Sequence, residues 1–87
     1  MTIKQQYTYD KKTFNLIEAL GDYALYKQEG YEYYELLKLR TYKKTYVYPS
    51  GASLKEGDIK YPSINEWGKF GWSYLSKEDA MKKMSSN

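Results

Sequence analysis

Apolar and polar positions alternate along much of the chain, and alternation of this kind predicts strands whose two faces meet different surroundings. From Thr13 to Leu20 the run TFNLIEAL puts Phe14, Leu16 and Leu20 on one parity, interrupted by Glu18. A helix would instead gather Phe14, Ile17 and Leu20 on one side. The Gly21-Asp22 pair lies between two alternating runs, which is a hairpin signal and favours the strand. Asp22 to Gln28 reads as a second strand, and Glu29-Gly30 turns the chain. The stretch YEYYELLKLRTYKKTYVY, Tyr31 to Tyr48, is rich in β-branched and aromatic types and predicts a long third strand that bends or bulges midway. Pro49-Ser50-Gly51 ends it, and residues 49–61 read as a loop, with or without a short extended piece.

Ser63 followed three residues later by Glu66 is a capping box for a short helix, which Gly68 stops. Phe70 to Leu75 then alternates, with Phe70, Trp72 and Tyr74 on one face, and is the fourth strand. Ser76 and Asp79 form a second capping box. The helix they open carries Glu78 and Asp79 first and Lys82 and Lys83 last, an order that suits the helix dipole, and Ala80, Met81 and Met84 give it an apolar stripe. Residues 1–12 are polar, with Ile3, Tyr7 and Tyr9 at even steps, and read either as a flexible arm or as an edge strand. The expected fold is α+β, one domain over residues 1–87. It has an antiparallel sheet of three or four strands (meander, short helix, strand) with the C-terminal helix packed on one face.

Composition sharpens this picture. Leu, Ile, Val and Phe are few and mean hydropathy is −0.87, yet aromatic residues make up 18% of the chain, twelve of them tyrosines. A tyrosine buries its ring but requires a partner or water for its hydroxyl. So many of them imply either a thin core whose rings reach its rim or a tyrosine-rich contact face. Both tryptophans fall between Pro62 and Met84; they read as the keystone of that thin core in preference to the alternative, a surface that grips a partner. Cysteine and histidine are absent, which removes disulfides, thiolate nucleophiles, the commonest general base and the commonest transition-metal ligands. No two carboxylates have a spacing that implies an acid/base pair, KEGDIK lacks the ligand repeat of a calcium loop, and Gly68 and Gly71 lack the context of a phosphate loop. The chain therefore reads as a non-enzyme with no cofactor. No apolar run approaches the roughly 20 residues of a membrane span, and the N-terminal residues lack the apolar region of a signal peptide. A cytoplasmic protein without membrane contact is the expectation.

The parity of the third strand supplies candidate contact residues. Odd positions Leu37, Leu39, Thr41, Lys43, Thr45 and Val47 fit an inward face. Even positions Lys38, Arg40, Tyr42, Lys44, Tyr46 and Tyr48 form a stripe of cations and rings. Between Glu35 and Glu56 there are five basic residues and no acid. Such a face suits an acidic protein partner, because tyrosine and arginine are enriched in interface cores. It also suits nucleic acid, where cations hold phosphates and rings stack on bases. The plain alternative is a solvated sheet face with lysine stems lying across tyrosine rings. An exposed long strand could also pair with a second copy, so monomer and homodimer both remain open.

A pattern runs through Pro62, Ser63, Trp67, Gly68, Gly71, Trp72, Tyr74, Ser76, Glu78 and Ala80, with LGDYALYK (Leu20 to Lys27) upstream. It resembles a broad group of small proteins carried by phages, prophages and other bacterial mobile elements. The resemblance implies a context, a bacterial host cell, and a mode of action, binding to a host protein. In size and lack of catalytic motif the chain is similar to inhibitors of bacterial defence, anti-CRISPR proteins among them. This implies stoichiometric inhibition of a defence protein through the basic, tyrosine-rich stripe, with a nucleic-acid-binding accessory or regulatory role as the alternative. Inhibitors of that kind that mimic DNA are strongly acidic, and a net charge of +3 disfavours such mimicry.

Overall fold

The computed structural model describes residues 3–51 and 53–86, without the side chains of Tyr46, Leu54 and Ile64. Four strands form a meander: β1 (Gln6–Tyr9), β2 (Lys12–Leu20), β3 (Tyr23–Gln28) and β4 (Tyr34–Lys38). The chain leaves the sheet after Lys38 and returns as β9 (Gly71–Tyr74), antiparallel to β4, so the sheet order is β1-β2-β3-β4-β9. The α+β architecture with a C-terminal helix, α1 (Lys77–Ser85), is as expected. The sheet has five strands because Gln6–Tyr9 adds an edge strand, which settles the open reading of part of the first twelve residues. Asp10 and Lys11 close that hairpin, both with positive φ (51° and 63°), as a two-residue turn matched to strand twist requires.

The register of β2 departs from its sequence parity. Leu16 pairs with Tyr26 but Glu18 pairs with Leu25, so Ile17 is an extra residue at a bulge. Phe14 and Leu16 face one side of the sheet, while Ile17 packs with the core on the other side. Leu20, expected to share a face with Phe14, is flipped away from it and pairs with Tyr23.

Each sheet face carries its own cluster. Tyr23, Leu25, Tyr34 and Leu36 lie under α1, which contributes buried Ala80 and Met84, and Trp72, Tyr74 and Met81 pack at the margin. Removing apolar surface of this kind from water stabilises by roughly 25 cal/mol per Å², and Ala80, Leu25 and Leu36 have no remaining exposure. The opposite face holds Phe14, Ala24, Tyr26 and Leu37. No helix covers it. A strap of chain at Ile3–Gln5 crosses it instead, held where the Tyr26 hydroxyl donates to the Lys4 carbonyl (2.7 Å) and the Lys4 amide donates to the Tyr61 hydroxyl (3.0 Å).

Two helix-start expectations are altered. At Ser63 the box is half made: the Ser63 amide donates to Glu66 Oε1 (3.1 Å), and the element is a single 3-10 turn, Ile64–Glu66. Gly68 follows with φ 90°, a conformation that glycine adopts without a Cβ penalty. Ser76 has the extended backbone of a cap residue, but its hydroxyl makes no capping hydrogen bond.

Candidate binding surfaces

The expected long third strand is broken. Pairing with β3 and β9 ends at Lys38, and the chain then runs out and back as a separate two-stranded ribbon. β5 (Arg40–Thr41) pairs with β8 (Ile59–Lys60), and β6 (Tyr46–Val47) pairs with β7 (Ser53–Leu54). Between them the Tyr42 amide donates to the Asp58 carbonyl and the Gly57 amide to the Tyr42 carbonyl. A tight turn at Tyr48–Gly51 closes the tip. The loop expected over residues 49–61 is therefore the returning half of this ribbon. Apart from Tyr42, every described side chain from Thr41 to Glu56 is exposed. Thr41, Lys43, Thr45 and Val47, expected to face inward, are exposed, and among the described residues only Leu37 and Leu39 of the odd set join a core cluster.

The six candidate contact residues are thereby separated. Lys38 belongs to the sheet, its ammonium 5.9 Å from the centre of the Tyr23 ring. Arg40 is half-buried at the ribbon base. Its guanidinium lies 3.7 Å over the Phe70 ring, and Nη2 approaches Glu66 Oε2 at 2.6 Å. That approach lies off the N–H direction, so charge pairing holds Arg40, and Nε is buried without a hydrogen-bond partner. The Glu66 carboxyl is held below its ordinary range, first by the Ser63 amide and then by Arg40. Tyr42 is half-buried beneath Lys60, with 6.0 Å from ammonium to ring centre. Lys44 and Tyr48 are exposed on the ribbon, and the side chain of Tyr46 lies outside the described atoms.

A second surface was not anticipated from the sequence. On the face that lacks a helix, Tyr7, Tyr9, Tyr33, Tyr61 and Trp67 wall a groove of about 450 Å³. The pairings Tyr26↔Glu35 and Glu35↔Ser73 place Glu35 mid-sheet on this face, and it lines the groove with Ser73. The Tyr7 hydroxyl donates to Glu35 Oε1 at 2.5 Å. Tyr7 stacks on Phe14 and meets Tyr26 edge-on, with centroids 4.9 and 4.8 Å apart. Its phenol is raised well above the ordinary tyrosine range, chiefly by burial and then by the bond to Glu35. The Tyr33 hydroxyl lies 2.9 Å from Ser73 Oγ, which also accepts the Trp67 indole N–H at 3.0 Å.

The two tryptophans thus have different tasks. Trp72 packs with the core beneath α1, whereas Trp67, 38% exposed, is a groove wall and does not share that core. Its indole can lie there because residue 71 has no side chain. The sequence did carry a signal for this surface: Glu35 interrupts an apolar strand on the parity of Tyr33 and Leu37. Among the described residues no cluster of acids could hold a metal ion, and no helix is long and apolar enough to cross a membrane. No family model matches the chain, and no curated protein or solved structure matches it either.

Proposed function

We propose that the chain acts by binding rather than catalysis, and that its ribbon is the contact surface for an acidic face of a protein partner. The observation that carries this reading is the segregation of charge. From Lys38 to Lys60 there are six cations and two carboxylates, while the rest of the chain holds eight cations and nine carboxylates. The whole positive excess therefore sits on this segment, most of whose side chains are exposed. Fields of this kind steer association and select partners of opposite sign. Tyr48 and Val47 add exposed apolar area near the tip. Inhibition of a bacterial defence protein is the task we propose for such binding; it rests on the residue pattern from Pro62 to Ala80. Arg40 supports the ribbon from inside, so the contact set narrows to the exposed Lys43, Lys44, Lys55 and Tyr48.

The test is Lys43→Glu, Lys44→Glu and Lys55→Glu together, checked for an unchanged fold and assayed for capture of a bacterial protein. Loss of a specific partner by the folded variant is the expected result, and undiminished capture overturns the ribbon assignment. Nucleic acid is the second reading, favoured by the ribbon itself, since two-stranded ribbons bearing cations can enter a major groove. Binding to generic single strands and duplexes that weakens steeply with salt would select it.

A further inference from the structure

We propose that the groove on the helix-free face is a binding site for an arginine side chain of a partner peptide, with Glu35 as its counter-charge. This site is distinct from the ribbon and does not rest on the ribbon reading.

The argument begins with donors and acceptors. An ionised carboxylate can accept about four hydrogen bonds. Glu35 receives a short one, from Tyr7 at Oε1. Tyr33 has a single hydroxyl proton and two acceptors in reach, and Ser73 Oγ at 2.9 Å is nearer than Glu35 Oε2 at 3.5 Å. Oε2 is thus left, among the described residues, with at most this one long hydrogen bond from Tyr33. Among the described residues the ion pairs are Arg40–Glu66 and Lys82–Glu78, and Glu35 belongs to neither. Among the described residues this half-buried carboxylate therefore has no ion pair, although Lys4, its ammonium over the Tyr61 ring, lines the same groove.

The walls define what kind of cation fits. Tyrosine and tryptophan faces attract cations through the ring quadrupole. The rim already shows this, with the Lys4 ammonium 4.9 Å from the centre of the Tyr61 ring. A planar guanidinium combines stacking on rings with a fork of N–H donors for one carboxylate. Arg40 shows the stacking and the charge pairing together, its guanidinium over the Phe70 ring and beside the Glu66 carboxylate. At about 450 Å³ the groove is of a size that holds a small ligand.

The probe is acetyl-Gly-Arg-Gly-amide, titrated into the full chain while the two tryptophan indole N–H resonances are followed by NMR. Trp67 walls the groove and Trp72 lies on the other sheet face, so one reports and the other serves as control. The expected result is a saturable shift of Trp67 alone. The neutral citrulline peptide and the Glu35→Gln variant should each bind about tenfold more weakly or worse, the change expected for one lost charge-assisted hydrogen bond. The folded ribbon variant should respond as the unaltered chain does. Equal binding of citrulline, no saturable shift, an equal shift at Trp72, tighter binding of a matching peptide with trimethyl-lysine in place of arginine, or loss of the response in the folded ribbon variant would each overturn the assignment. Should Glu35→Gln not fold, the arginine–citrulline comparison on the unaltered chain decides.

Discussion

Gly71 and Tyr7 show how single residues shape the groove. A Cβ added at Gly71 would stand 2.5 Å from Cε3 and Cζ3 of Trp67, so Gly71→Ala must push the indole away. The expected outcome is a destabilisation of about 1–3 kcal/mol together with loss of the Trp67–Ser73 bond, read by chemical denaturation and by the Trp67 indole resonance. Tyr7 acts through its proton. Its phenol is raised above the ordinary range, and burial pushes Tyr26 up to about 12. In the unfolded chain both ionise near pH 10. The stability linked to these neutral phenols is therefore fully present below about pH 10 and is lost as the pH rises through the folded values. Tyr7→Phe should cost about 1.5–3 kcal/mol at neutral pH, the worth of a hydrogen bond to a charged group. It should also make the alkaline decline shallower, and denaturant titrations at neutral pH and above pH 10 measure both effects.

The elements show what alternation could and could not reveal. β3, β9 and α1 were legible because turn and cap residues bound them; Met84 and Ala80 lie where the stripe put them. β2 was legible as a strand but not in its register, because nothing in TFNLIEAL marks Ile17 as the bulged residue. The long third strand was misread because Tyr31 to Tyr48 has strand composition throughout, and composition does not say which neighbour a strand pairs with. The chain changes partners at Leu39, whose amide donates to the Asp22 carbonyl. The ribbon base is then pinned to the 3-10 turn by Arg40 and Glu66. The lowered Glu66 value means that this support is present above the ordinary carboxylate range near pH 4 and is lost as the pH falls through the lowered value. Glu66→Gln should flatten the acid limb of the stability curve without changing its alkaline limb, which a series of thermal unfolding midpoints will show.

At the scale of the whole molecule the two sheet faces divide the work. One is sealed by α1 over the cluster of Tyr23, Leu25, Tyr34 and Leu36. The other is closed by a strap and a few rings; Glu35 on the parity of Tyr33 and Leu37 marked a polar interruption there, but the groove was not legible because Tyr7, Glu35, Tyr61 and Trp67 meet only in the folded chain. The basic bias around Lys38 to Lys60 was legible, but its placement on an exposed ribbon was not. The ribbon leaves the sheet where Leu37 pairs with Gly71, whereas Leu75 follows the opposite end, where Tyr34 pairs with Tyr74. Val47 on the ribbon and Leu75 are similarly exposed, 74% and 79%. A photo-activatable residue placed at each in turn, and irradiated in bacterial cells making the protein, compares the two ends directly. A discrete protein adduct from Val47 and none from Leu75 is the predicted result; no adduct from Val47, or the same adducts from both positions, would contradict the ribbon as the contact surface.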